Sequence, residues 1–167
     1  YNSNSNPTLT NCTFNDNSVG LHGGGMFNNY SSPTLTNCTF TDNSADDNGG
    51  GMYNYENSSP TLTNCTFTGN TSRYYGGGMY NYETSPTLEN CTFENNTAGT
   101  SGGGMYCEIQ NDFTISNCIF VQNTADFDGG GIYSIGNAVL ILSDLIVSDN
   151  YAGNNGGGLY ISEGSIH

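Results

Sequence analysis

The sequence predicts an all-β fold, a parallel β-helix (solenoid) of six rungs, each with 26 or 27 residues and three short strands. Three observations predict it. The octet PTLTNCTF stands at residues 7–14, 33–40 and 60–67, and PTLENCTF follows at 86–93. The cysteines of these units follow one another at steps of 26 or 27 residues, and GGGM and F-x-x-N units recur at the same steps. A unit that recurs at a fixed interval indicates a stacked structural repeat.

The three strands of a rung are expected at GGMYN, PTLT and CTF. Thr, Tyr, Phe, Ile and Val in short runs, broken by Gly, Asn and Pro, favour strands over helices. The turns between them are a variable loop before PTL, the Asn before Cys, and a longer loop of the type NDNSVGLHG. All length variation lies in the variable loop, which is therefore expected at the surface.

Four inward columns of apolar side chains are predicted, because successive side chains of a strand point to opposite faces. The Leu column comprises Leu9, Leu35, Leu62, Leu88, Ile115 and Leu142. The Cys column comprises Cys12, Cys38, Cys65, Cys91, Cys118 and then Leu145. The Phe column comprises Phe14, Phe40, Phe67, Phe93, Phe120 and then Val147. The Met column comprises Met26, Met52, Met79, Met105, Ile132 and Leu159.

The chain of 167 residues is expected to form one β-helix domain over residues 1–167. It carries 1 Lys or Arg against 15 Asp and Glu, a formal charge of -14. Nucleic acid and anionic membranes need a cationic surface, so neither is an expected partner. No apolar run approaches the roughly 20 residues that span a bilayer, so membrane insertion by this segment is not expected either.

The first and last residues both fall in the middle of a repeat, since Tyr1 aligns with Tyr80. We therefore expect either a segment of a longer stalk or a subunit that stacks end to end on copies of itself into a filament.

The GGGM and F-x-x-N units resemble the paired GGA[ILV] and F-x-x-N motifs of chlamydial polymorphic outer-membrane-protein repeats and related bacterial surface β-helix proteins. The resemblance covers nearly the whole chain, which has Gly in every copy where that motif has Ala. It implies a right-handed parallel β-helix, secreted from a bacterium to the cell surface or the extracellular space. It also implies the role of an adhesin or autotransporter passenger, with glycans or proteins of a host or surface as partners.

Two files of asparagines are expected to form structural ladders, because stacked amides bond rung to rung. The corner Asn column comprises Asn11, Asn37, Asn64, Asn90 and Asn117, followed by Asp144. The F-x-x-N ladder comprises Asn17, Asn43, Asn70, Asn96, Asn123 and Asn150. The corner column falls at a tight bend, where Asn tolerates a left-handed backbone. Its first four members begin N-x-T sequons, but the amides are predicted to point inward and so to be poor glycosylation acceptors.

The Cys column does not fit a zinc site, because its members recur about 4.8 Å apart along a line and do not converge on one point. Two interpretations remain open. The thiols can be buried small hydrophobic groups, or neighbours can form disulfides, since adjacent Cα atoms lie within bonding range. Cys107, which replaces Asn81 of the neighbouring rung, could then reach across to the unpaired member.

An outward aromatic column follows the Met column by one residue. It comprises Phe27, Tyr53, Tyr80, Tyr106, Tyr133 and Tyr160. Ring stacking between rungs is one interpretation, and a contact strip for a glycan or a sister molecule is the other. Outward T-x-T pairs beside the Leu column, such as Thr34 and Thr36, resemble the flat faces of insect ice-binding solenoids, although ordinary solvent-facing β-branched residues of a strand explain them more simply.

Catalysis is not expected, although many β-helices cleave polysaccharides. Lyase chemistry needs a base and cations, and glycoside hydrolysis needs two spaced carboxyls. The basic groups of this chain are only Arg73, His22 and His167. Pairs of loop acids occur in non-adjacent rungs, at Asp46, Asp47, Asp126 and Asp128. These acids are either solvated or ligands of a loosely held Ca²⁺, the only cofactor that the sequence suggests.

Overall fold

The protein is an all-β parallel solenoid in the computed structural model, which describes residues 1–108, 112–137 and 139–163, and the backbone of 165–166. Within these ranges the chain forms no helix, and therefore none long and apolar enough to cross a membrane. Every pairing between neighbouring strands is parallel and joins one rung to the next.

Two sheets of seven strands carry the Met and Leu columns. Sheet A consists of β1 (Asn2–Ser3), β5 (Met26–Asn29), β9 (Met52–Tyr55), β13 (Met79–Tyr82), β17 (Met105–Glu108), β21 (Ile132–Ile135) and β25 (Leu159–Ser162). Sheet B consists of β2 (Thr8–Thr10), β6 (Thr34–Thr36), β10 (Thr61–Thr63), β14 (Thr87–Glu89), β18 (Phe113–Ser116), β22 (Val139–Ser143) and β26 (Ser165–Ile166).

Two sheets of six strands follow the corner Asn column and the F-x-x-N ladder. Sheet C consists of β3 (Thr13–Asn15), β7 (Thr39–Thr41), β11 (Thr66–Thr68), β15 (Thr92–Glu94), β19 (Ile119–Val121) and β23 (Ile146–Ser148). Sheet D consists of β4 (Ser18–Val19), β8 (Ser44–Ala45), β12 (Thr71–Ser72), β16 (Thr97–Ala98), β20 (Thr124–Ala125) and β24 (Tyr151–Ala152).

Sheet D is a difference from the sequence prediction, which placed three strands in each rung and a loop after the F-x-x-N unit. Its strands have two residues each, too short for an alternation pattern to reveal. Their second residue is small and points inward, as Ala98 and Ala125 do in complete burial. A small side chain here lets the chain turn closely around the edge of the core.

The strands pair in register, so equivalent side chains stack directly on one another. Leu62 lies between Leu35 and Leu88 in sheet B, and the same holds along the Met and Phe columns. In the central rungs all four columns are buried and form one continuous core. The rings of the Phe column stack almost parallel, with centroids 4.6 Å apart and planes 2° apart for Phe40 and Phe67.

The Gly runs bring neighbouring rungs into unusually close contact. The consecutive N–H groups of Gly49, Gly50, Gly51 and Met52 all donate to carbonyls of the next rung, at 3.0 to 3.2 Å. A Cβ on Gly51 would lie 2.5 Å from the Gly78 carbonyl oxygen and 2.9 Å from the Phe67 ring. Gly51 stands where the motif of the resembled bacterial repeats has Ala. The present rungs are thus too closely packed at this point for Ala without a local shift.

Candidate functional site

The F-x-x-N ladder runs through the interior as a file of fully hydrogen-bonded amides. The Asn70 Oδ1 atom accepts hydrogen bonds from the backbone N–H and the Nδ2 of Asn43, at 3.1 and 2.9 Å. In turn, Asn70 Nδ2 donates to Asn96 Oδ1 and to the Phe40 carbonyl, both at 2.9 Å. The same pattern links Asn17 at one end to Asn150 at the other. Each side-chain amide therefore finds its hydrogen-bond partners only if the equivalent residues of the two adjacent rungs are also Asn.

The corner Asn column lies on the outside of the solenoid, so the prediction that its amides point inward is wrong. All five asparagines and Asp144 are exposed and adopt the predicted left-handed backbone, with φ between 52° and 55°. Some amides bond along the column: Asn37 Nδ2 donates to Asn11 Oδ1, and Asn64 Nδ2 to Asn37 Oδ1, each at 3.2 Å. These residues lie at the tip of a bend, and the tip of a bend around the core points outward. The N-x-T sequons of the corner Asn column therefore lie at the surface.

A third Asn ladder, which the sequence analysis did not identify, lies in sheet A. Asn28 Nδ2 donates to Asn54 Oδ1, and Asn54 Nδ2 to Asn81 Oδ1, both at 2.8 Å. The side chains are completely buried. The recurring Asn of the MYN triplet was the signal that could have revealed it. Because Cys107, Ser134 and Ile161 occupy the corresponding positions of the following rungs, the ladder ends at Cys107, whose Sγ accepts from Asn81 Nδ2 at 3.5 Å.

All six cysteines are free thiols, including Cys107, which contacts Asn81 and forms no disulfide across the core. Burial raises the pKa of Cys107 to about 12. Hydrogen bonds with the Cys118 and Cys65 thiols, together with burial, raise the pKa of Cys91. The thiols of Cys91 and Cys107 are therefore protonated at neutral pH and serve as small packing groups of the core, whereas hydrogen bonds with the Cys91 thiol lower the pKa of Cys65 and Cys118.

The aromatic column is stacked as expected for rung-to-rung contact. Tyr53 and Tyr80 have ring centroids 4.9 Å apart, and Tyr106 and Tyr133 are 4.8 Å apart, with planes 7° apart in both pairs. An exposed contact strip is not what the structure shows. Tyr53, Tyr80 and Tyr106 are only 6% to 7% exposed.

The loops that follow sheet D cover the aromatic column, which explains its burial. The His22 ring stacks on Tyr53 at a centroid distance of 4.6 Å, and the Tyr75 ring lies 4.7 Å from Tyr106. Sequence alternation correctly placed the tyrosines outside the core, but it could not show that residues from other parts of the rung fold over them. Burial in turn raises the pKa of Tyr53, Tyr80 and Tyr106.

The loop acids considered for Ca²⁺ are not gathered into one group. Asp47 Oδ2 lies 4.0 Å from His22 Nε2, and Asp128 Oδ1 accepts from the backbone N–H and Nδ2 of Asn155. Asp46 and Asp126 are exposed. In the described parts of the chain no group of three or more His, Cys, Asp or Glu is arranged to hold a metal ion.

The basic groups lie far apart in the chain and make separate contacts. The Arg73 guanidinium lies 5.3 Å from the centroid of the Tyr74 ring, and His22 stacks on Tyr53. His167 lies outside the described residues. The T-x-T pairs face outward on sheet B, where Thr34 and Thr61 are exposed and Thr36 and Thr63 are half-buried.

Comparison with known proteins agrees with the architecture. The family model described as right-handed beta helix region matches residues 1–167. No curated protein and no solved structure gives a significant match. The match extends over the full sequence, so it includes every ladder and column described above.

Removal of one amide from the F-x-x-N ladder should destabilise the fold strongly. Asn70→Ala leaves the two Asn43 donors and the Phe40 carbonyl without their partner, and Asn96 Oδ1 loses one donor. Each unpaired buried group costs about 1 to 3 kcal/mol, so we expect a loss of about 3 kcal/mol or more in the free energy of unfolding. Urea unfolding followed by circular dichroism measures it.

The matched control is Asn64→Ala in the exposed corner column. It should cost about 1 kcal/mol, because alanine is disfavoured in the left-handed conformation at this site. Equal losses for the two variants would contradict the internal ladder as a stabilising element.

Alkaline pH should destabilise the fold through the aromatic column. Since burial raises the native pKa of Tyr53, Tyr80 and Tyr106, the unfolded chain releases these protons first, from a pKa of about 10 upward. Each tyrosine should then cost about 1.4 kcal/mol per pH unit above pH 10. Tyr80→Phe should reduce the pH dependence of urea unfolding by that slope. An unchanged slope in this variant would show that the Tyr80 hydroxyl is not shielded from water.

Proposed function

Because the chain belongs to the right-handed β-helix family, we propose that it is a non-enzymatic structural shaft of an extracellular protein. In this role it acts as a stalk or adhesin at a bacterial surface. The proposal joins the fold to the resemblance of the GGGM and F-x-x-N units to bacterial surface repeats. The family includes both polysaccharide-degrading enzymes and proteins without enzymatic activity, so the distinction depends on the residues of this chain.

The continuity of the ladders and columns carries the proposal. The F-x-x-N ladder is hydrogen bonded from Asn17 to Asn150, and the aromatic column is in ring contact from Phe27 to Tyr160. The Asn amides and the aromatic rings, which could otherwise bind a ligand, thus join one rung to the next. Such a structure resists bending and shear between rungs, which is the property that a shaft needs.

The polar groups that could take part in catalysis support the same role. Arg73 lies over Tyr74 and His22 lies over Tyr53, on loops of different rungs. Lyase chemistry needs a base beside a cation that holds an acidic sugar, whereas the charged neighbour of His22 is the Asp47 carboxylate, at 4.0 Å. The Cys91 and Cys107 thiols are completely buried and their pKa is raised, so these two thiols would stay unreactive in an oxidising environment.

Surface exposure on the source cells tests this proposal. Antibodies raised against residues 1–167 should label intact cells in immunogold electron microscopy, and external protease should abolish the labelling. A cytoplasmic marker that is labelled only after permeabilisation serves as the control. Labelling of the chain that likewise required permeabilisation would contradict an extracellular shaft.

A second candidate function is self-stacking into a filament, with copies of the chain as partners. The observation that favours it is the fixed direction of the hydrogen bonds between rungs. In the first five Gly runs all four N–H groups donate towards the next rung, whereas the Thr34 and Ser44 N–H groups donate to the preceding rung, to the Pro7 and Asn17 carbonyls. Each rung therefore has a fixed arrangement of donors and acceptors on each side, which a rung of a second copy would match in one orientation.

Self-stacking predicts that the purified polypeptide of residues 1–167 forms fibres whose length grows with protein concentration. Light scattering and negative-stain electron microscopy measure this. As a control, Gly51→Val in a central rung should prevent folding, and thus fibre formation, because its Cβ would lie 2.5 Å from the Gly78 carbonyl oxygen. A well-folded wild-type chain that stays monomeric at high concentration would exclude this candidate.

A further inference from the structure

A cleft opens where three successive loops after sheet D, around Tyr75, Thr100 and Phe127, meet the aromatic column. Its volume is about 320 Å³, within the lower range of small-molecule sites. The residues that line it include Tyr75, Thr100, Tyr106, Phe127, Asp128 and Tyr133. Tyr75 and Phe127 come from loops of different rungs. Neither residue belongs to the repeated units, so the repeat pattern does not predict the cleft.

The walls of the cleft are held by hydrogen bonds between stacked loops. The Phe127 N–H donates to the Thr100 carbonyl at 2.8 Å, and the Tyr75 N–H donates to Asn48 Oδ1 at 3.1 Å. The Tyr75 ring rests against Tyr106 with the two planes 41° apart. The lining residues are thus positioned before any ligand arrives, which lowers the entropic cost of binding.

We propose that this cleft binds a neutral hexopyranose unit of a glycan chain. Phe127 is 50% exposed and Tyr75 36% exposed, although both are aromatic and line the cleft. Exposed aromatic faces offer apolar contact area to the C–H face of a sugar ring. The Asp128 carboxylate lies on the same lining and can accept hydrogen bonds from sugar hydroxyls. The Thr100 hydroxyl also lines the cleft and donates to the Tyr74 carbonyl, so towards a sugar it can act as an acceptor.

The charges around the cleft select against acidic sugars. Arg73, the only Lys or Arg of the chain, lies over Tyr74 and is not among the lining residues. Asp128 brings a negative charge to the cleft, and the chain as a whole carries -14. A uronic acid would therefore meet repulsion without a compensating cation. Asp128 Oδ1 already accepts two hydrogen bonds from Asn155, which reduces its demand for a cationic partner.

This binding site does not depend on the shaft role, and the two can fail separately. Saturation-transfer NMR with cellobiose, maltose and lactose as neutral probes tests it on the full chain. At least one of these disaccharides should bind, with contacts from its ring C–H protons. Glucuronic acid serves as the acidic probe and should bind at least about tenfold more weakly, and cationic glucosamine tests whether Asp128 makes the cleft a cation site.

The decisive variant is Phe127→Ala, which removes the most exposed ring of the cleft. It should weaken binding of the neutral probe by about tenfold, the effect of losing one aromatic contact of about 1.4 kcal/mol. Tyr74→Ala is the matched control, because Tyr74 is 39% exposed on the neighbouring position and does not line the cleft. It should leave binding unchanged, and circular dichroism should show both variants folded.

Three outcomes would overturn the proposal. The first is that none of the neutral disaccharides binds. The second is equal weakening by Phe127→Ala and Tyr74→Ala, which would indicate non-specific contact with exposed rings. The third is a preference for glucosamine that disappears in Asp128→Asn, which would make the cleft a cation site.

Discussion

The amide ladder of the F-x-x-N asparagines is the interaction on which the rest of the structure depends. Asn70 uses both polar atoms of its side chain on neighbouring asparagines and on the Phe40 carbonyl. Because only an identical amide at the same height can complete this pattern, the ladder fixes the register of every rung. A slip of one residue would also turn the Leu, Cys and Phe columns outward, so the burial of these columns favours the same register.

Close contact between rungs follows from the register and requires the Gly runs. In an ordinary parallel strand, N–H groups alternate between the two sides, whereas here four consecutive N–H groups donate to the same side. The left-handed residue that begins each run, such as Gly49 with φ of 68°, makes this possible. The peptide dipoles of the Gly runs therefore point the same way from one rung to the next.

The sequence predicted the repeat, the core columns and the left-handed corner, because these depend on local spacing and on residue type alone. It did not predict that Asn64 is exposed and Asn70 buried, since both are asparagines that follow a strand at similar spacing. Which of them faces the core depends on the path of the whole rung. Burial of Tyr80 was likewise not predicted, because the rings that cover the aromatic column, such as His22 and Tyr75, do not recur at the same position of every loop. Sheet D was not predicted, because a strand of two residues is too short to show an alternation of apolar and polar side chains.

The features that all six rungs share form the shaft, whereas the loops that differ between rungs can form a specific site. The F-x-x-N ladder and the aromatic column persist through all six rungs, while Asn81 gives way to Cys107 and then Ser134 in the ladder of sheet A. The loops after sheet D diverge far more, from SRYYG at 72–76 to ADFDG at 125–129. Repetition can build only what every rung shares, so a unique ligand site must come from residues that differ between rungs. Tyr75 and Phe127 are such residues, and they meet in the cleft because the repeated parts hold their loops in register.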